Sequence, residues 1–289
     1  MIRVGIVGAE SSHASAFAKY FNVDRPYEDI RVTAVYGDKE ACDAIVKDAG
    51  VEVVCSTVEE MAQMVDAVMI TTRHGSRHYE ETMPFVEKGM PVFVDKPFTA
   101  DPAQAKELYR QMQLHGCKVT GGSGCKLASG IAKARELVDK LRQEGIFVSA
   151  AQNYIMIMES EYDGIFFYGP HLVEMALATF GYDAKAVTAV RTGTSMLVTM
   201  QYENDAVSLH FNRDGLRYGT MIYTTKEFYC LDTEIEIFQI KEMYAQEADV
   251  FADLLHGKTE SLSEEEMVRP IEVLAAIERS LQTGQRAEI

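Results

Sequence analysis

Three places in the chain hold side chains whose types and spacing can do chemistry. The first is the turn Gly5-Ile6-Val7-Gly8-Ala9-Glu10-Ser11-Ser12-His13. An apolar run ending on a glycine before a helix is where a dinucleotide fold brings backbone amides to a pyrophosphate, through G-x-G-x-x-G. Gly8 keeps the first position, while Glu10 and His13 take the second and third. Ser11 and Ser12 offer hydroxyls and amides to a phosphate at the helix start, and Glu10 brings a charge that a pyrophosphate opposes. The segment Gly8, Ser11, Ser12, His13 reads as a cofactor-binding turn or as a plain connection. After the next strand, Asp38 stands where an acid accepts from an adenosine ribose, which favours NAD over NADP. It serves equally as a cap for the following helix.

The second place is Val92-Phe93-Val94-Asp95-Lys96-Pro97. A lysine directly after a buried strand lies at the carboxyl edge of the sheet, where ligands bind. Pro97 fixes its backbone and is a candidate cis bond. The bland alternative is a surface ion pair with Asp95. The third place is Gly169-Pro170-His171-Leu172-Val173-Glu174. Glu174 falls one helical turn after His171, on the same face, where it can orient an imidazole for proton transfer. A structural hydrogen bond is the alternative for His171. His74 and His78 are also four apart, as a metal pair on a helix would be, but Arg73 and Arg77 beside them oppose a cation, and no metal is expected.

These positions need elements to hold them. Through residue 120 the chain alternates short apolar runs (2–8, 30–36, 51–55, 67–71, 91–94, 117–120) with helical stretches. That alternation implies parallel strands joined by helical crossovers, a doubly wound α/β sheet of Rossmann type. Thr57 with Glu60 forms a capping box, and Asp101-Pro102 starts a helix. Gly121-Gly122-Ser123-Gly124 breaks the pattern and marks a boundary, giving a dinucleotide-binding domain 1–120 and a substrate-binding and oligomerisation domain 121–289. In the second, helices over 128–143 and 170–178 precede strands over 186–191, 195–202, 206–211, 218–224, 227–231 and 233–239, so an α+β domain with a mostly antiparallel sheet is expected. An amphipathic helix runs to about 283.

The formal charge of −16 over 289 residues repels polyanions, so neither nucleic acid nor an anionic membrane is an expected partner. No run approaches the length of a membrane helix, and the amino terminus lacks the pattern of a signal peptide. The five cysteines, Cys42, Cys55, Cys117, Cys125 and Cys230, show no metal spacing and fit a reducing cytoplasm.

Three features in order resemble the Gfo/Idh/MocA family of NAD(P)-dependent oxidoreductases, of which the chain is identified as a divergent member. They are the run Asp66–Ile70 followed by His78, the Gly89–Pro97 stretch similar to G-x-x-V-x-x-E-K-P with Asp95 for Glu, and the Gly169–Glu174 stretch similar to G-x-H-x-x-D with Glu174 for Asp. The resemblance implies hydride transfer between a nicotinamide, NAD or NADP with NAD favoured, and a sugar, cyclitol or related small hydroxy compound. His171 would be the acid/base, with Glu174 as its partner, and Lys96 would polarise the oxygen and contact the nicotinamide side. Thr71, His78, Asp95, Lys96 and Pro97 would join the cofactor contacts. The family's usual aspartate four residues before the histidine is Phe167 here, and an aromatic cannot orient an imidazole. A non-catalytic ligand-binding protein on the same scaffold is therefore the rival reading, with redox-neutral chemistry on a retained cofactor as a third. A free sheet face makes a homodimer or homotetramer the expected assembly.

Overall fold

The computed structural model describes residues 1–156, 159–213, 218–232 and 240–289. The chain divides into two units, Met1–Gly122 with Ile240–Met267, and Ser123–Gln239 with Val268–Ile289.

Short β-branched and apolar runs, each stopped by a glycine, proline or capping residue, build the first unit. Its elements are β1 (Ile2–Val7), α1 (Ser12–Lys19), β2 (Ile30–Tyr36), α2 (Lys39–Ala49), β3 (Val53–Val54), α3 (Val58–Met61), β4 (Ala67–Ile70), α4 (Gly75–Val86), β5 (Val92–Asp95), α5 (Pro102–Leu114) and β6 (Val119–Gly122). The six strands are all parallel, in the order β3-β2-β1-β4-β5-β6, so the order reverses between β1 and β4 and opens a crevice at their carboxyl ends. The caps follow the sequence. Thr57 Oγ1 accepts from Glu60 N–H at 3.1 Å while the Glu60 carboxylate accepts from Ser56 N–H at 2.6 Å. Asp101 accepts from Gln104 N–H at 2.8 Å.

The second unit holds α6 (Ser129–Gln143), β7 (Phe147–Ile155), α7 (Ile165–Phe180), β8 (Ala186–Thr192), β9 (Ser195–Gln201), β10 (Ala206–Asn212), β11 (Gly219–Thr224) and β12 (Phe228–Asp232). With β13 (Ala287–Glu288), which follows α8 (Ile240–Leu255) and α9 (Glu264–Thr283), these strands form a sheet ordered β12-β11-β7-β10-β9-β8-β13. Every pairing is antiparallel except β7 with β10, which is parallel because α7 crosses over between β7 and β8 and two hairpins then bring β10 alongside β7 in the same direction. The expected strand over 233–239 lies outside the described residues. β7 was not foreseen, and α7 starts at Ile165, so Pro170 sits inside the helix rather than at its head. Strands β9 to β11 alternate buried and open residues, which leaves Leu197, Met221 and Tyr223, with Val190 and Phe228, on an open apolar face.

A split into consecutive segments 1–120 and 121–289 differs from what the fold does. Ala248, Phe251, Ala252 and Leu254 of α8 bury into the first unit's core beside Phe17, Phe21 and Phe93, so Ile240–Met267 belongs with the first unit. The Phe93 ring meets Phe17 edge-on at 5.3 Å and Phe251 at 6.0 Å. Burying a phenylalanine of this kind stabilises the fold by roughly 1.5–3 kcal/mol. Among the described residues no helix is long and apolar enough to cross a membrane.

Candidate active site

The turn after β1 is built on Gly8. Its φ is +91°, and a Cβ there would run into the Thr72 backbone amide. Only glycine tolerates both the conformation and the approach. Gly8 and Ala9 N–H donate to Tyr36 O at 2.9 and 3.2 Å, and Ser11 N–H donates to Gly8 O at 3.0 Å. Among the described residues these bonds leave the amides of Glu10 and Ser12 for an anion at the start of α1, so the donor set fits a dinucleotide pyrophosphate. The side chains do less than the sequence suggests. Ser11 caps α1, its hydroxyl accepting from His13 N–H at 3.3 Å, and the Ser12 hydroxyl pairs with Tyr244 Oη at 3.3 Å.

His13 departs furthest from its expected role of touching the cofactor. Its Nδ1 lies 2.8 Å from Asp95 Oδ2, its ring is 4.5 Å from that of Tyr244, and Glu247 completes a group of ligand atoms within 4.8 Å of one another. Burial opposes charging the ring, but Asp95 and then Glu247 outweigh it, and the imidazole pKa rises above its ordinary 6.5. Burial likewise opposes the Asp95 carboxylate, yet His13 and Lys96 hold its pKa below the usual range. These atoms are near enough to share a cation, and His13 and Asp95 also pair directly with each other across 2.8 Å. Asp95, expected against the cofactor, is thus an internal anchor that also accepts from Lys96 N–H at 2.7 Å.

That anchor fixes Lys96 at the carboxyl end of β5, largely buried, before a cis bond to Pro97. His78 was expected at the cofactor. It is fully buried instead, with Nδ1 2.7 Å from Pro97 O and Nε2 2.7 Å from Thr72 O, so both ring nitrogens brace the Lys-Pro turn against the end of β4. The same two bonds remove it as a metal ligand. Gly75 lets α4 close on Pro97, since a Cβ would meet the proline ring. Thr71, also expected at the cofactor, donates from its hydroxyl to Val7 O at 2.8 Å and ties β4 to the Gly8 turn. Asp38 caps α2, accepting from Ala41 N–H at 3.1 Å. The acid beside the end of β2 is instead Glu10, whose Oε2 lies 2.9 Å from where a Gly37 Cβ would stand. Its place two residues after Gly8, at the second fingerprint position, was the signal available in the sequence.

In the second unit, α7 presents His171 to a short helical turn, Gly124–Leu127, capped by Ser123. His171 Nδ1 is 2.7 Å from Ser123 Oγ and 3.5 Å from Cys125 Sγ. Around the ring stand Tyr154 at 5.4 Å and Tyr168 at 6.0 Å between centroids. Burial pushes the Tyr154 phenol well above its ordinary range. Glu174, expected as the imidazole's partner, accepts instead from Ser123 N–H at 2.8 Å and Lys126 Nζ at 2.9 Å. Lys126 draws it away, because a carboxylate this buried needs a cation. Phe167 packs its ring against Tyr162 at 4.9 Å and Tyr168 at 5.0 Å.

The parallel sheet, the glycine turn and the buried Lys-Pro element together make the first unit a doubly wound sheet of Rossmann type. Residues 2–123 match the Gfo/Idh/MocA family model, described as oxidoreductase family, NAD-binding Rossmann fold. No curated protein sequence matches the chain. Among solved structures it is similar to myo-inositol dehydrogenase from Lactobacillus casei in complex with NAD(H) and myo-inositol, with TM-score 0.84, 15% identity, and coverage of 100% of this chain and 97% of that one. It is similar to scyllo-inositol dehydrogenase from the same organism with bound NAD(H) and scyllo-inositol, with TM-score 0.83, 16% identity and coverage of 100% and 98%. It is also similar to GenD2 from gentamicin A biosynthesis in complex with NAD, with TM-score 0.84, 17% identity and coverage of 100% and 96%. At these identities the likeness is one of fold.

Proposed function

We propose that the protein is an NAD-dependent dehydrogenase acting on a CH–OH group of a small polyhydroxylated compound, a cyclitol or sugar. The observation that carries this reading is the buried Lys96, held by Asp95 and a cis Pro97 at the carboxyl edge of an NAD-family Rossmann sheet. NAD, when bound, supplies the hydride acceptor. The Glu10 and Ser12 amides hold its pyrophosphate, and Glu10 selects NAD by repelling a 2′-phosphate near the end of β2. Lys96 is the group suited to polarising the substrate oxygen, and His171 the group suited to taking the hydroxyl proton. The solved structures with inositols bound support the substrate class.

The test is incubation with NAD and a panel of cyclitols and sugars while reduced nicotinamide is followed. Turnover that falls about a hundredfold or more in Lys96→Ala is expected, the usual scale for losing such a group. Failure to bind NAD(H) in a fluorescence titration overturns the reading. Phe167, packed among aromatics, favours the rival of a ligand-binding protein without redox chemistry, which NAD binding with no turnover would select. The scattered cysteines, four of the five buried, support a cytoplasmic location. The open apolar face of the second unit's sheet supports self-association into a homodimer or homotetramer.

A further inference from the structure

An imidazole that moves a proton must have its ring held and its tautomer defined. The usual device is a carboxylate, which only accepts. One helical turn before His171 the chain offers Phe167, and Glu174 is committed to Lys126 and the Ser123 amide. What meets Nδ1 is the Ser123 hydroxyl at 2.7 Å. This hydroxyl is fixed in place. Ser123 is 1% exposed, its Oγ accepts from Cys125 N–H at 3.2 Å, and its own N–H is bound by Glu174. Both its backbone and its side chain are therefore set before any substrate arrives.

We propose that Ser123 is the positioning residue for His171, a hydroxyl doing with its two-way hydrogen bond what a carboxylate does with charge. The proposal rests on the dehydrogenase reading above. With the proton on Nδ1, the ring donates to Ser123 Oγ and keeps its lone pair on Nε2, on the opposite side of the ring. When the carbinol O–H bond breaks, an N–H bond forms at Nε2 and the hydride leaves carbon for the bound nicotinamide. The resulting imidazolium keeps its bond to Ser123 Oγ. In the tautomer with the proton on Nε2, the serine turns its own O–H toward Nδ1. A carboxylate could not follow that change. Around the ring stand Cys125 from the capped turn, Tyr154 from β7 and Tyr168 from α7. Lys126 and Glu174 pair with each other at 2.9 Å, while the Ser123 hydroxyl meets Nδ1 at 2.7 Å.

The experiment compares Ser123→Ala and Ser123→Thr with the parent in turnover, in pH profile and in the ring-nitrogen NMR shifts of His171. Ser123→Ala is expected to lower kcat by about tenfold, the scale of one neutral hydrogen bond, with the KM for NAD unchanged. Ser123→Thr is expected to restore most of kcat and the parent's pH profile. Loss of the hydroxyl is expected to alter the tautomer ratio read by NMR. Parental kcat and pH profile in Ser123→Ala overturn the proposal, as do parental nitrogen shifts. If the parent turns over no polyol, the dehydrogenase reading falls on its own, while the nitrogen shifts still decide whether Ser123 sets the ring.

Discussion

His13 occupies the place of a third fingerprint glycine, and its ring faces inward to Asp95 at 2.8 Å. The pH dependence follows from the shift. A histidine whose folded pKa is raised adds stability that is complete below the unfolded value near 6.5 and is lost as pH climbs through the folded pKa. Urea midpoints are expected to fall as pH rises above 6.5 in the parent and to stay flatter over that range in His13→Gln. An equal alkaline slope in both would remove this pair as the cause. Asp95 works in the opposite sense, its depressed pKa contributing stability that disappears as pH drops through the acidic range. Glu10 carries a separate expectation. Glu10→Ala should improve NADP binding relative to NAD by roughly fivefold, equivalent to about 1 kcal/mol of screened repulsion at contact distance. Calorimetric titration of both dinucleotides reads that ratio, and an unchanged ratio counts against Glu10 as the selector.

At the scale of elements, α8 has the most to answer for. Its Tyr244 ring packs at a tilt against that of His13, its Glu247 joins the Asp95 group, and its Phe251 reaches Phe93. Phe251→Ala should cost about 3–5 kcal/mol in urea unfolding, because the cavity opens in the core of the first unit. A cost under 1 kcal/mol would mean the helix is only loosely docked. The six parallel strands were legible because each apolar run is short and ends on turn or capping chemistry. β7 was not, since Phe147–Ile155 interleaves alanine, serine, glutamine and asparagine with few β-branched residues and lacks clean alternation. The same split holds in the site. Lys96 and His171 stand out by their place after a strand and in a helix, but their partners are chosen by tertiary contact. Ser123 lies 48 residues from His171, and nothing local says that a lysine at 126 will claim Glu174 first.

At the scale of the whole molecule, the first unit is discontinuous in sequence. A chain ending at Gly122 should fail to give a cooperative thermal transition, and joining 240–267 to it through a flexible linker should restore one. A sharp, reversible melt of 1–122 alone would refute the division. The open face with Val190, Leu197, Met221, Tyr223 and Phe228 gives a second expectation at this scale. Light scattering should find a dimer or tetramer, and replacing Leu197 and Phe228 by aspartate should shift it toward monomer with the fold retained. A parent that runs as a monomer at micromolar concentration would discard that use of the face.

The discontinuity also sets a timetable at the ribosome. When residue 122 emerges, the sheet of the first unit lacks the helix that covers Phe17 and Phe93, and roughly 145 more residues must be made before Met267 appears. At about 5–20 residues per second that is a wait of roughly 7 to 30 seconds. Throughout it, the nascent sheet carries uncovered aromatic surface while the intervening segment is translated, so chaperone demand should peak in mid-synthesis rather than at chain release.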